Sequence, residues 1–314
     1  MRVVSKLALF GLALAVLFAG GLGVGGAWSP ASPAPGAGDS AKGAGRGGDE
    51  HGTEPEGKEF PKGVLVSDRG YRFAPERTEL RPGGETEFRF RILDATGEPV
   101  TEYLPTHEKD LHLVVVRRDL TRFWHVHPTF GADGVWQIGL KVPEAGSYRA
   151  YADFQPKGQA ESLTLGVDLA APGGFAPRQV PGPAATATVD GYDVKLTGDL
   201  VTGRANPVTL SVSRGGVPVT DLEPYLGAYG HLVALRTGDL AYLHVHPEEG
   251  AEAGPGIGFA VEVPSPGRYR LFLDFKHDGV VRTAAFTVDV ATGAAPDPEP
   301  GSESPESGGH GHGD

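Results

Sequence analysis

Apolar and polar residues alternate with period two along much of the chain. Phe88, Phe90 and Ile92 are interleaved with Glu87, Arg89 and Arg91, while Trp136, Ile138, Leu140 and Val142 alternate with smaller or polar neighbours. Leu163, Leu165, Val167 and Leu169 follow the same rule. In the second half it returns in Val208, Leu210 and Val212, in Phe259, Val261 and Val263, and in Phe286, Val288 and Val290. Such alternation over roughly four to eight residues predicts strands with one buried face, and no comparably long stretch carries a helical period. The 48 glycines and 27 prolines separate these runs with turns.

The pattern occurs twice. Pro99-Val100-Thr101 matches Pro218-Val219-Thr220 at an offset of 119, and the segment 146–154 matches 267–275 at an offset of 121. A period of that length fits a duplicated domain of about 100 residues plus a linker, and is too long for a solenoid repeat. We therefore place domain one at 60–170, a Gly- and Pro-rich linker at 171–186, and domain two at 187–291. The predicted fold is all-β, two tandem immunoglobulin-like β-sandwich domains, with a small Greek-key barrel as the alternative. Tyr148 and Tyr269, each near the start of a late strand, are assigned to the tyrosine corner of that fold, in which the hydroxyl bonds backbone upstream.

The ends read differently. Arg2 and Lys6 precede an uncharged apolar stretch from Leu7 to Leu22, and Gly25 and Ala27 offer small residues for cleavage before Trp28, so 1–27 reads as an export signal. An uncleaved membrane anchor is the runner-up. Residues 28–59 and 292–314 are rich in Gly, Pro, Ser and charge and read as a disordered tether and a disordered tail. The expected location is secreted or cell-surface, with the membrane touched only through the N-terminal segment. The net charge of −12, without clustered Lys or Arg, argues against a nucleic-acid partner. The chain has no cysteine, which excludes disulfides, thiolate metal sites and a lipoprotein anchor.

The candidate chemistry lies in histidines. Trp124-His125-Val126-His127-Pro128 is echoed by Leu243-His244-Val245-His246-Pro247, and His112 and His231 stand 13 residues before the first imidazole of each pair. Six of the 11 histidines thus form two matching sets of three. In a strand the two histidines of each His-x-His share a face, with Cα atoms about 6.6 Å apart. A hairpin turning at Arg118-Asp119 sets His112 opposite His125, and one turning at Asp119-Leu120 sets it opposite His127. Either register gathers the three rings on one face and sends Leu111, Leu113, Trp124 and Val126 to the other. In domain two the turns are Thr237-Gly238 or Gly238-Asp239, with the glycine expected at positive φ.

Three neutral nitrogen donors without sulfur suit Cu(II) or Zn(II), and copper is preferred because imidazole-rich sites bind it most tightly in the Irving–Williams order. Asp153 and Asp274 hold matching positions and are candidates for a fourth ligand, an outer acceptor that fixes a histidine tautomer, or a turn cap. The opposing reading makes the trio a buried structural brace in a non-catalytic extracellular interaction module whose protein partner is unknown. His51, His310 and His312 are expected to be incidental solvent-exposed residues. No nucleophile elbow, zinc-protease helix or phosphate loop is present, so an enzyme is not expected.

The signal, the strand pattern and the histidines resemble exported bacterial β-sandwich proteins that handle copper, of the copper-resistance protein C and YtkA-like kind. That resemblance covers the two sandwich domains and implies Cu(II) held by histidine and aspartate. The chain departs from it in two respects: the mature N-terminus is Trp28 rather than histidine, and Met1 is the only methionine, so a Cu(I) thioether site is not expected.

Overall fold

The computed structural model describes residues 60–243, 245–247 and 253–293. The signal, tether and tail read from the sequence lie outside these residues, as do His51, His310 and His312. Among the described residues there is no helix.

The first domain consists of β1 (Ser67–Asp68), β2 (Tyr71–Pro75), β3 (Glu85–Leu93), β4 (Tyr103–Leu104), β5 (Leu111–Arg117), β6 (Phe123–Val126), β7 (Thr129–Phe130), β8 (Trp136–Lys141), β9 (Gly146–Pro156) and β10 (Leu163–Ala171). One sheet has the order β1-β2-β3-β8-β7 and the other β10-β9-β5-β6, with β4 on β9. The second domain repeats this with β11 (Thr186–Val189), β12 (Tyr192–Thr197), β13 (Ala205–Arg214), β14 (Val217–Pro218), β15 (Gly230–Arg236), β16 (Tyr242–Leu243), β17 (His246–Pro247), β18 (Gly256–Glu262), β19 (Gly267–His277) and β20 (Val280–Val290). Its sheets run β11-β12-β13-β18-β17 and β16-β15-β19-β20, with β14 on β13. The two-sheet order, with a middle strand that leaves one sheet for the other, is that of an immunoglobulin-like sandwich. In domain one the crossing falls between β6 and β7, at Pro128, which has no N–H for the ladder.

The alternating residues form the cores. Phe88, Phe90 and Ile92 of β3 meet Leu113 and Val115 of β5 and Leu165 of β10, and Val208, Leu210 and Val212 of β13 meet Leu232, Ala234 and Phe286. Burying each large side chain is worth about 1.5–3 kcal/mol. The tyrosine corners are present as expected: Tyr148 Oη donates to the Glu144 carbonyl at 2.7 Å and Tyr269 Oη to the Ser265 carbonyl at 2.9 Å.

The β5–β6 hairpin pairs Leu113 with Val126, Val114 with His125 and Val116 with Phe123, the register of the Asp119-Leu120 turn. Ala234 pairs with Leu243 and Leu235 with Tyr242, the register of Gly238-Asp239. The expected glycine at positive φ is corrected by the structure. The left-handed residues are Leu120 (φ 58°) and Leu240 (φ 61°), whose side chains are buried. The Asp119 carboxylate accepts from the Thr121 N–H and hydroxyl, and that of Asp239 from the Ala241 N–H. These bonds and the leucine burial offset a left-handed cost of about 1–2 kcal/mol.

β5 and β15 are buried on both faces. Leu111, Leu113 and Val115 face their own core, whereas Val114 and Val116 pack with Phe123 and Tyr151 against Val233, Leu235, Tyr242 and Phe272 of the second domain. The Phe123 and Phe272 rings stack at 4.1 Å and 8°. This explains why Leu111–Val116 is apolar almost throughout rather than alternating. Residues 61–66 lie along this joint: Gly63 N–H donates to Thr164 O and Tyr242 N–H to Lys62 O, while the Arg149 guanidinium binds the Gly63 and Val64 carbonyls. Gly63 sits at φ 71°, and a Cβ there would lie 2.6 Å from the Tyr151 ring, so only glycine fits.

Tyr148→Phe removes the corner hydrogen bond while keeping the ring. It is expected to cost about 1 kcal/mol in urea unfolding at unchanged m-value. An unchanged midpoint would show that the corner adds no stability.

Candidate metal centre

The hairpin register and the β5–β9 ladder bring the first trio together. His112 of β5 opposes Asp153 of β9, and His125 and His127 follow on β6 and just beyond it. His112 Nδ1 lies 3.0 Å from His125 Nε2 and 3.1 Å from His127 Nε2. One ligand nitrogen from each of the three residues falls within 4.8 Å of the others.

Hydrogen bonds on the far sides of two rings fix which nitrogens face inward. His112 Nε2 lies 2.8 Å from the Thr106 carbonyl, which only accepts, so Nε2 carries the proton and Nδ1 is bare. His125 Nδ1 lies 2.9 Å from Asp274 Oδ2, so Nδ1 carries a proton, which in the neutral ring leaves Nε2 bare. The central His112 Nδ1 therefore has a single in-plane lone pair with two imidazole nitrogens crowding it. A bare His125 Nε2 has no proton to donate to it, so two lone pairs face each other at 3.0 Å and only His127 Nε2 can act as a donor. A cation satisfies all three nitrogens at once. Metal–nitrogen bonds of about 2.0–2.1 Å place nitrogens about 2.9 Å apart at right angles and about 3.3 Å apart in a tetrahedron, which brackets the two distances from His112 Nδ1. The donor set fits a divalent ion.

Burial and neighbouring charge favour the neutral form of His112 and His127. Burial, then His125, hold His112 down to about 4. Burial, then His125, His112, Lys109 and His231, hold His127 down to about 3. At neutral pH both are uncharged and have lone pairs to offer.

The second trio is only partly described. His231 repeats the environment of His112: it opposes Asp274 in the β15–β19 ladder, its Nε2 lies 2.7 Å from the Tyr225 carbonyl, and burial holds it down to about 4. His244 lies outside the described residues. The backbone of His246 belongs to β17 and pairs with Ala260 of β18. The chain has thus already crossed to the other sheet, where its counterpart His127 has not.

Asp153 and Asp274 lie within the β9 and β19 ladders rather than at turns, so the turn-cap reading is corrected. Each accepts a threonine hydroxyl from the next strand, Thr164 and Thr283 respectively. The other Asp274 oxygen accepts a hydrogen bond from His125 Nδ1. Sequence reasoning missed His107, whose ring lies 6.0 Å from that of His112 and 5.1 Å from that of His231. It also missed the threonines, although Thr164 and Thr283 share the 119-residue offset of the histidines.

Comparisons with known proteins give a family and distant likenesses in fold. No curated protein matches the sequence. The adhesin FdeC of Escherichia coli is 14% identical over 72% of this chain and 66% of its own structure, with a TM-score of 0.23. Invasin, a bacterial integrin-binding protein, is 14% identical over 72% of this chain and 40% of its own, with a TM-score of 0.23. Domains 5-6 of the S-layer protein SbsC are 13% identical over 71% of this chain and 97% of theirs, also at 0.23. The chain thus spans less than two thirds of the FdeC and invasin structures. The profile of the family described as Domain of unknown function (DUF8832) matches residues 66–170 and again 187–292. These two matches cover well over half of the sequence, and the protein belongs to the DUF8832 family, whose domain it carries twice.

Proposed function

We propose that this is an exported, non-enzymatic protein that binds a divalent metal ion, Cu(II) or Zn(II), through His112, His125 and His127. A corresponding site in the second domain is formed by His231, His244 and His246. The observation that carries the reading is the single lone pair of His112 Nδ1, flanked at 3.0 and 3.1 Å by the Nε2 atoms of two further imidazoles. Two tautomer-fixing acceptors, Thr106 O and Asp274, support it. Export, with retention at the cell surface if the N-terminal segment remains as an anchor, rests on the signal-like residues 1–27.

The competing reading is a non-catalytic extracellular or cell-surface interaction module whose histidines are structural. Its support is the tandem immunoglobulin-like architecture. Titration of metal-stripped protein with Cu(II) and Zn(II), followed by elemental analysis after gel filtration, separates the two. Stoichiometric metal in the wild type, reduced by His127→Ala and further by His127→Ala with His246→Ala, is expected. Equal, sub-stoichiometric metal in all three favours the interaction module.

Acidity provides a second test. The folded values of His112 and His127 lie below the ordinary 6.5, so between about pH 6.5 and 3 the unfolded chain binds more protons than the folded one. Metal-free stability is therefore unaffected by these groups above that window and falls as pH drops through it. Bound metal adds about 2.7 kcal/mol at a free concentration one hundred times Kd, and this increment also shrinks as protons compete for the nitrogens. Thermal unfolding at pH 7.5 and 5.0, with and without metal, is expected to show a metal-dependent rise in Tm that is smaller at pH 5.0. A metal increment equal at both values would overturn the assignment.

A further inference from the structure

The carboxylate that orients the first domain's His125 does not come from the first domain. His125 stands on β6 and Asp274 on β19, 149 residues away, and both side chains are 5% exposed at their 2.9 Å contact. Asp274 is itself fixed. It lies on an inner strand of its sheet, between β15 and β20, and its second oxygen accepts the Thr283 hydroxyl. The first domain's own aspartate, Asp153, occupies the matching register opposite His112, and its carboxylate accepts from Thr164. The three candidate ligand nitrogens thus come from one sandwich and the acceptor that orients His125 from the other.

That contact lies within the joint between the domains. Around it are the Phe123–Phe272 stack, the Tyr151 hydroxyl donating to Leu240 O at 2.7 Å, and the Tyr242 amide donating to Lys62 O at 2.9 Å. Separating the sandwiches removes Asp274 from His125 and frees that ring to rotate or to take the other tautomer, whose Nε2 carries a proton and cannot ligate.

We propose that the second sandwich completes the first sandwich's metal site, with Asp274 as the positioning residue for His125, so that ion binding and docking of the two domains reinforce each other. The proposal rests on the metal-binding reading above. Reciprocity follows because an ion that binds the docked state more tightly than the undocked state must stabilise docking by the same factor.

The test uses the full chain and Zn2+ as probe, with affinity from competition against a chromophoric chelator. Docking is read from exchange of the Tyr242 amide, whose hydrogen bond crosses the boundary. Asp274→Ala is expected to weaken Zn2+ binding roughly 10- to 100-fold. Asp274→Asn, which keeps an acceptor oxygen but loses the charge, is expected to lose less. Zinc is expected to slow Tyr242 exchange in the wild type and to slow it less in Asp274→Ala. If circular dichroism shows Asp274→Ala unfolded, Asp274→Asn decides. Wild-type affinity in the deciding variant, or Tyr242 exchange that ignores zinc, overturns the proposal while His127-dependent zinc binding by the wild type keeps the metal reading intact. A wild type that binds no zinc at all overturns both.

Discussion

Burial of polar side chains between two sheets is the constraint on which the rest of this molecule depends. Imidazoles and carboxylates cost several kcal/mol when removed from water without partners, yet His112, His231, Asp153 and Asp274 are all buried. The chain meets that cost with hydrogen bonds to neighbouring strands and turns. In each domain a histidine opposes an aspartate, which accepts a hydroxyl from a threonine one strand further on, while the histidine donates to a turn carbonyl behind it. Because each aspartate and its threonine stand opposite one another on adjacent strands, their pairing is set by the register of the sheet.

The same constraint explains why these particular faces pack together. A sheet face bearing histidine, aspartate and threonine is a poor core for a single sandwich, whose interior is filled by phenylalanine, leucine and valine. Placed against its own repeat, that face gains both an apolar rim and complementary hydrogen bonds. Val114, Val116, Phe123 and Tyr151 meet Val233, Leu235, Leu240 and Phe272, and the histidine-rich patch lies within the same joint. The duplication thus supplies each domain with a partner surface of matching chemistry.

Much of this was legible in the sequence, and the reasons are local. Period-two alternation placed Phe88, Phe90 and Ile92, and likewise Val208, Leu210 and Val212, in the cores, because a strand offers its side chains only two directions. The convergence of His112 with His125 and His127 followed from the same parity, since any even-length hairpin gathers them. What sequence reasoning did not reach depends on non-local geometry. Nothing in the spacing of Asp274 announces a partner 149 residues away in the other domain, and the apolar run Leu111–Val116 did not reveal that its second face is covered by another sandwich. In the second domain's turn the left-handed Leu240 displaced the expected glycine, as Leu120 takes that conformation in the first, because a buried side chain and an aspartate cap outweigh backbone preference. His107 had no counterpart to flag it, since the repeat carries Leu226 at that position.

The strap formed by residues 61–66 has a mechanical consequence. It bonds Thr164 and Arg149 on one side and Tyr242 on the other, with Gly63 wedged where no larger residue fits. Tension applied at Phe60 would enter the fold at this seam rather than at either hydrophobic interior. The hydrogen bonds there belong to the same joint that holds His125 against Asp274, so a pull at Phe60 loads the seam between the two sandwiches.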